Sequence, residues 1–218
     1  GSRASDDMPI TFSNVSKKDL SKRNLGQDLP ILLNFLPSVV TTSDAGAGIG
    51  YTGIRVRGSD ATRVNVTING IPYNDPESQG TFWVNLPDIS SSVENIQVQR
   101  GVGTSTNGSS AFGATINILT DGISQEGYTK ISRSYGSFNS QKSTVKYSTG
   151  LINNKFEFSG RHSKIKSDGY IDRASSNLKS YFFQGLYKND KRLFKLLVFG
   201  GSEITYQSWY GVDPFTLK

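Results

Sequence analysis

Val93-Glu94-Asn95-Ile96-Gln97-Val98-Gln99-Arg100-Gly101 and, after a span rich in glycine and serine, Gly113-Ala114-Thr115-Ile116-Asn117-Ile118-Leu119 decide the fold of the first half of this chain. In both stretches β-branched apolar residues alternate with Gln, Asn or Thr, the period of a β-strand. Upstream, Ile54-Arg55-Val56-Arg57 and Val64-Asn65-Val66-Thr67-Ile68 alternate in the same way, and the second runs into an Asn69-Gly70 turn. Helix signals accompany these strands. Ser16-Lys17-Lys18-Asp19 is a variant capping box, and Asp28-Leu29-Pro30 opens a helix whose Ile31, Leu32, Phe35 and Leu36 stop before Pro37. Asp88 caps a short serine-rich turn. The sum is an α+β domain with a mixed sheet, placed at residues 1–122.

From about Gly127 the helix signals cease. Alternating segments follow at 127–135, 139–149, 155–166, 178–188 and 192–206, which read as five consecutive antiparallel strands within a second unit at 123–218. Short turns at Asn153-Asn154 and Asn189-Asp190 flank a longer Ser167–Asn177 connection, and short turns on one side with long loops on the other is an outer-membrane barrel habit. In the fifth segment Phe194, Leu196, Val198, Ile204 and Tyr206 share one parity and Lys195, Glu203 and Thr205 the other, giving one face for lipid and one for a wet lumen. Tyr147, Phe156, Phe158, Tyr181, Phe183 and Tyr187 suit aromatic girdles. A soluble β-sandwich uses the same alternation with the apolar face packed internally, so periodicity leaves both architectures open. Segments of about eleven to fifteen residues exceed the five or six usual in soluble sheets and favour the barrel.

Composition narrows the chemistry. With no cysteine and one histidine, His162, the chain offers no thiol nucleophile, disulfide or cysteine metal site, and little basis for a zinc, haem or Ser-His arrangement; no cofactor and no enzyme activity are expected. Ser143-Thr144-Val145-Lys146 has S-x-x-K spacing, but in a strand Ser143 and Lys146 point to opposite faces. The glycine runs at Gly46–Gly50 and Gly101–Thr106 lack the third glycine of a dinucleotide fingerprint and the Gly-Lys-Ser/Thr of a P-loop. The net charge of +6 is uneven: residues 1–120 hold 9 Lys+Arg against 10 Asp+Glu, residues 121–218 hold 15 against 8. These cations are scattered singly along strands, as on a channel wall, and no nucleic-acid partner is expected. The chain has no run of about eighteen apolar residues to make a membrane helix, and its start lacks the apolar core of a signal peptide.

Read in order, four pieces of the first half resemble the plug of TonB-dependent outer-membrane receptors: Leu32-Leu33-Asn34-Phe35-Leu36-Pro37-Ser38-Val39; Ile54-Arg55-Val56-Arg57-Gly58; Val66-Thr67-Ile68-Asn69-Gly70-Ile71-Pro72; and Val93–Gly101 continuing through Gly108, Ala111, Phe112-Gly113-Ala114 and Ile116-Asn117-Ile118. Ser38 stands where the family has glycine and Asn69 where it has aspartate. Tyr206-Gln207-Ser208-Trp209-Tyr210-Gly211-Val212 resembles a segment of receptors from Bacteroidetes-type bacteria.

The resemblance implies an outer-membrane location and a transmembrane barrel of about 22 strands around the plug, of which some five are present here. Five strands cannot close, so the missing ones are expected in the same protein or another chain, and the natural polypeptide is expected to continue past Lys218. The implied function is active import of a scarce substrate, a ferric siderophore or similar chelate being the modal case, driven by energy transmitted through TonB. The TonB box is not recognisable, Arg3-Ala4 resembling the residues just after it, so TonB contact is expected upstream of this chain. The resemblance also assigns Arg57, Arg100 and Glu94 to a latch between plug and barrel, and places the loops around Ser43–Thr52 and Tyr73–Trp83 at an outward apex where Tyr51, Tyr73, Phe82 and Trp83 meet substrate. A secreted or surface β-rich adhesin or glycan-binding module is the alternative function, in which outer-membrane lipid would not be a partner.

Overall fold

The computed structural model describes residues 3–102, 112–207 and 215–216. Strand β1 (Thr11–Ser16) leads into helix α1 (Lys17–Arg23), which begins where the Ser16 side chain accepts from the Asp19 N–H while the Asp19 carboxylate accepts from the Ser16 N–H. This is the predicted capping box, with Asp19 in place of the more usual Glu. A single turn of helix, α2 (Leu29–Leu32), follows Asp28, with Pro30 in its first turn as expected. Strands β2 (Val39–Ser43) and β3 (Thr52–Val56) form a separate antiparallel pair that frames the loop between them.

Strands β4 (Val64–Ile68), β5 (Ile71–Pro72), β6 (Val93–Arg100) and β7 (Ala114–Thr120) join β1 in a mixed sheet of order β1-β6-β7-β4-β5, with β4 and β7 parallel and the other pairs antiparallel. The β4–β5 hairpin turns on Asn69 and Gly70, both at positive φ (51° and 82°), the geometry that Asn-Gly selects. One face of this sheet carries Val66, Ile96, Val98, Ile116 and Ile118 into a core completed by Val15, Leu20, Leu33 and Val56. The other face is also buried but polar, through Asn65, Thr67, Gln97, Gln99, Thr115 and Asn117. There the Gln97 amide clasps the Ala4 backbone, accepting from its N–H at 2.7 Å and donating to its carbonyl at 2.9 Å.

Five long strands then run in sequence: β8 (Tyr128–Gly136), β9 (Ser140–Ser148), β10 (Phe156–Ser167), β11 (Ser176–Lys188) and β12 (Leu193–Thr205). They form one antiparallel meander, each paired with its chain neighbour. All five lie where the alternation places them, and the sheet does not close on itself. Its connections depart from the simple asymmetry expected: the 168–175 loop shares its end of the sheet with a tight turn at 137–139, to which it is tied by the Asp168 N–H on the Phe138 carbonyl.

Parity sorts the meander into two faces. Lys142, Thr144, Glu157, Arg161, Ser163, Ile165, Leu178, Ser180, Phe182 and Gln184 are buried, while Ile131, Tyr135, Phe156, Phe158, Leu196 and Ile204 on the other face are exposed. The buried face is mostly polar and the exposed face largely apolar, the reverse of a soluble sheet and the arrangement of a barrel wall with a wet interior. What covers the buried face is the first half of the chain. Phe182, stacked on Phe199 with ring centroids 6.0 Å apart, reaches from the wall into the core of the mixed sheet.

Candidate functional site

The contact between the two sheets centres on Asp88. It follows Pro87 in a left-handed conformation (φ 54°) and precedes a 3-10 turn at Ile89–Ser92, which aims its carboxylate at the wall. Oδ1 lies 2.7 Å from Lys142 Nζ and Oδ2 lies 3.2 Å from Arg161 Nη1. The three side chains are 0%, 5% and 2% exposed, so both charge pairs are removed from water.

Neutral donors complete the shell. Ser163 Oγ and Thr144 Oγ1 donate to Oδ2 at 2.5 and 3.0 Å; Asn24 Nδ2 and Ser91 Oγ donate to Oδ1 at 3.1 and 2.6 Å. The cations are held in turn: Arg161 Nε donates to Ser92 Oγ at 2.8 Å and Lys142 Nζ to Ser91 Oγ at 3.0 Å. Burial pushes the Asp88 carboxyl up, but the Arg161 and Lys142 charges outweigh it and hold the group well below the usual carboxylate range.

A second, wetter junction lies at Asp121, just past β7. Its carboxylate takes Lys146 of the wall and Lys17 of α1, the latter at 2.7 Å, while its backbone carbonyl accepts from Lys195 Nζ at 2.9 Å and Gln184 Nε2 at 3.0 Å. Lys146 Nζ also donates to the Ser91 carbonyl at 2.8 Å. Both junctions share one polarity: the mixed sheet's domain supplies the acid and the wall the base. The geometry binds one body to another and offers no nucleophile–base pair. Ser143 is exposed while Lys146 turns inward to Asp121, so the S-x-x-K spacing brings nothing together.

The sequence-derived latch residues occupy different places. Glu94 is half exposed and pairs with Lys17 at 3.2 Å, a contact within the first domain. Arg100 is buried and donates to the Pro37 carbonyl at 3.2 Å and to Ser13 Oγ. Burial and then the neighbouring charge of Arg57 lower its affinity for a proton. Arg57 is exposed, and among the described residues neither arginine has a carboxylate within ion-pair distance.

The aromatic residues divide. Trp83 is 3% exposed, a core side chain, and Tyr73 is half-buried with its ring 6.2 Å from that of Phe199 on the wall. Phe82 is exposed. Tyr51 packs on a small cluster of Ile49, Val84, Ile165 and Leu178 beneath the 44–51 loop. That loop abuts the 168–175 connection, where the Tyr170 N–H donates to the Ala45 carbonyl at 2.8 Å. It is anchored from below by buried Asp28, whose N–H donates to the Gly48 carbonyl at 2.9 Å and whose carboxylate accepts from Thr52 Oγ1 at 2.9 Å. Burial pushes the Asp28 carboxyl up to about 8, against the hydrogen bonds from Thr52 and the Gly50 N–H. Of the motif residues, Gly103, Gly108, Ala111 and Ser208–Val212 lie outside the described residues, as does Gly1-Ser2.

A domain of this order and register, seated by buried charges against the inner face of an open wall of long strands, matches one family model, the TonB-dependent receptor plug domain, over residues 4–115. The chain belongs to the TonB-dependent receptors. Membership makes it part of an outer-membrane receptor rather than an enzyme. Among curated receptors it is 29% identical over 131 residues to the vitamin B12 transporter BtuB of Vibrio cholerae, a match covering 60% of this chain and 21% of BtuB. Among solved structures it superposes on the copper transporter OprC with a TM-score of 0.74 at 16% identity, covering 90% of this chain and 32% of OprC. It also superposes on the siderophore receptor PirA from Acinetobacter baumannii with a TM-score of 0.67 at 18% identity, covering 88% and 32%. The chain thus spans about a third or less of the receptors it matches, and at these identities the structures speak for the fold.

Proposed function

We propose that this chain is the plug, residues 1–122, and the first wall strands, residues 123–218, of an active outer-membrane importer with a barrel of about 22 strands, which takes up a scarce ligand using energy transmitted by TonB. The observation that carries the reading is the plug–wall junction. Besides two small apolar contacts, at Phe182 with Phe199 and at Ile165 with Leu178, the plug is attached through directional charge contacts around Asp88 and Asp121 on a mostly polar wall face. Such contacts hold a body in place yet exchange readily for water once it moves, which suits a plug that must shift to open a path.

The ligand in this reading is a ferric siderophore or similar chelate. The matching receptors named for a cargo carry siderophores, copper and vitamin B12. The 44–51 loop, with Tyr51, and the 73–82 loop, with Tyr73 and Phe82, form the outward apex that receives it; Trp83 supports that apex from the core. Arg57 and Arg100, two like charges side by side, form with Glu94 the remaining latch and take carboxylates from barrel strands beyond Lys218. The Bacteroidetes-type lineage suggested by Tyr206–Val212 belongs to this proposal too.

The test is uptake of radiolabelled ferric chelates by cells expressing the full-length protein under iron limitation, with and without TonB. Accumulation that requires both sustains the proposal. Equal accumulation without TonB, or growth independent of the protein on every chelate tried, overturns it.

A further inference from the structure

The inward face of the wall carries two neighbouring rows of donors. In the first, Lys130 of β8 pairs with Lys146 of β9 and Lys146 with Arg161 of β10, so three cations stand side by side across three strands. With strands about 4.8 Å apart, this row is about 10 Å long. In the second, Ser132, Thr144, Ser163 and Ser180 are in register, one hydroxyl from each of β8 to β11. Cations directly opposite one another weaken a sheet unless an anion neutralises them.

No described carboxylate of the wall does so. Glu157, on the same face, accepts from Ser148 Oγ at 2.6 Å, Glu203 stands on β12, and neither forms an ion pair among the described residues. The neutralising groups come from the plug. Asp121 takes Lys146, and Asp88 takes Arg161 Nη1 at 3.2 Å together with the hydroxyls of Thr144 and Ser163. The two rows thus already hold carboxylates that another body brings to them.

Seating the plug accounts for Lys146 and Arg161 but not for Lys130, which is exposed and has no ion-pair partner among the described residues. Lys130 instead borders a cavity of about 720 Å³ between plug and wall, with Ser132, Ser134, Lys142 and Lys146 on the wall side and Lys17 on the plug side.

We propose that the two rows form an exchange site for a cargo that bears several carboxylates. As the plug shifts, cargo carboxylates entering from the cavity take the places that Asp88 and Asp121 leave on Arg161 and Lys146, and Lys130 binds a further one. This rests on the reading above, in which the plug moves to open a path, and it narrows the chelate to a polycarboxylate. A neutral cargo gains nothing from the rows, whereas a polyanion restores to the open wall what the closed plug supplied. Binding to the open state alone also favours opening, by mass action.

The experiment uses the full-length protein in phosphatidylcholine nanodiscs, with citrate, a small tricarboxylate, as the probe. Hydrogen exchange of the β6 and β7 amides is followed in citrate and in sodium chloride of equal ionic strength, with EDTA in both so that citrate does not act by removing divalent cations. Citrate should accelerate these amides in proportion to its concentration, reaching about tenfold at ten times its dissociation constant for the open plug. The neutral triamide of citrate should leave the rate at its chloride value. One solvated charge contact is worth up to about fivefold in affinity, so K130Q should lower the slope of rate against citrate by about that factor, while K130R keeps it. Each variant is read as the ratio of its citrate and chloride rates, so any change in plug seating itself cancels.

Equal rates in citrate and chloride, the same acceleration by the triamide, or a wild-type slope in K130Q overturns the site. Neither TonB nor iron takes part in this measurement. Failure of chelate import would therefore leave a citrate response standing, and absence of that response would leave TonB-dependent import untouched.

Discussion

Replacing Asp88 by Asn keeps the shape of the side chain and removes its charge. Six groups point at the carboxylate, and all are donors: Lys142, Arg161, Ser163, Thr144, Asn24 and Ser91. An amide brings two further donors into this shell and leaves two buried cations without a counter-ion. Breaking one side of a buried pair costs about 3–5 kcal/mol. The comparison is Asp121→Asn, at a carboxylate that is 12% exposed and shared between Lys146, also 12% exposed, and Lys17, 47% exposed; water reaches this junction, and a smaller loss than at Asp88 is expected. The assay is hydrogen exchange of the β6 and β7 amides in the full-length protein in nanodiscs. If the plug opens as a unit, Asp88→Asn accelerates these amides by roughly a hundredfold to several thousandfold. Adding Lys142→Met and Arg161→Met to Asp88→Asn recovers much of the loss, because a well-packed apolar set replaces a buried ionic one at little cost. Acceleration of less than about fivefold, or an effect no larger than that of Asp121→Asn, would refute the claim that Asp88 is the main tie.

Other outcomes follow from the same geometry. Because the Asp88 carboxyl is held below its ordinary range when folded, its contribution is fully present above the unfolded value and is lost as pH falls below about 4; plug exchange measured against pH should show this acid limb, and Asp88→Asn should remove it. Asp28 has the opposite sign. Its folded value of about 8 makes the plug less stable as pH rises from about 4 to 8, and Asp28→Asn, which keeps an oxygen for Thr52, flattens that decline. Ser16→Ala breaks the capping box and lowers local stability of α1 by about 1 kcal/mol, read from exchange of its first-turn amides. At Gly113 a Cβ would lie 2.3 Å from that of Ser59 and 3.1 Å from the Arg63 carbonyl, so Gly113→Ala should displace the 57–63 segment and cost about 1–3 kcal/mol in plug unfolding.

The five wall strands were legible because each is long and alternates, and the turn at Asn153 and Asn154 adopts the positive φ those residues tolerate. Strands β1 and β2 escaped the sequence reading for a physical reason. β1 buries only Val15 fully and is held on β6 by backbone pairing, and β2 pairs with β3 alone, so neither carries a periodic apolar signal. The mixed sheet's second face, polar yet buried under the Ala4 segment, also defeats hydropathy, since Gln97 and Asn117 read as solvent-facing.

The described plug–wall junction has a polarity that the plug motifs do not announce. The motifs point to plug arginines that await wall carboxylates, while the described wall strands offer cations to Asp88 and Asp121, and in the sequence Asp88 reads as no more than a cap. Lys142 and Lys146 do share the parity of Thr144 and Ser148, opposite Val145 and Tyr147, and that was the available clue. On β10 the clue reverses, because Lys164 and Lys166 share the outward parity with Phe156 and Phe158 while Arg161 turns inward. Charge alone could not tell the lumen from the membrane border. Only the register across strands separates them.

The most direct test of the whole account is a structure of the full-length protein in a lipid nanodisc. It should show residues 128–205 as consecutive strands of a closed barrel around residues 3–120, with the Asp88 carboxylate in ion-pair contact with Lys142 and Arg161. A structure in which the exposed face of those strands packs on a protein core of its own, with Asp88 turned away from the wall, would contradict it.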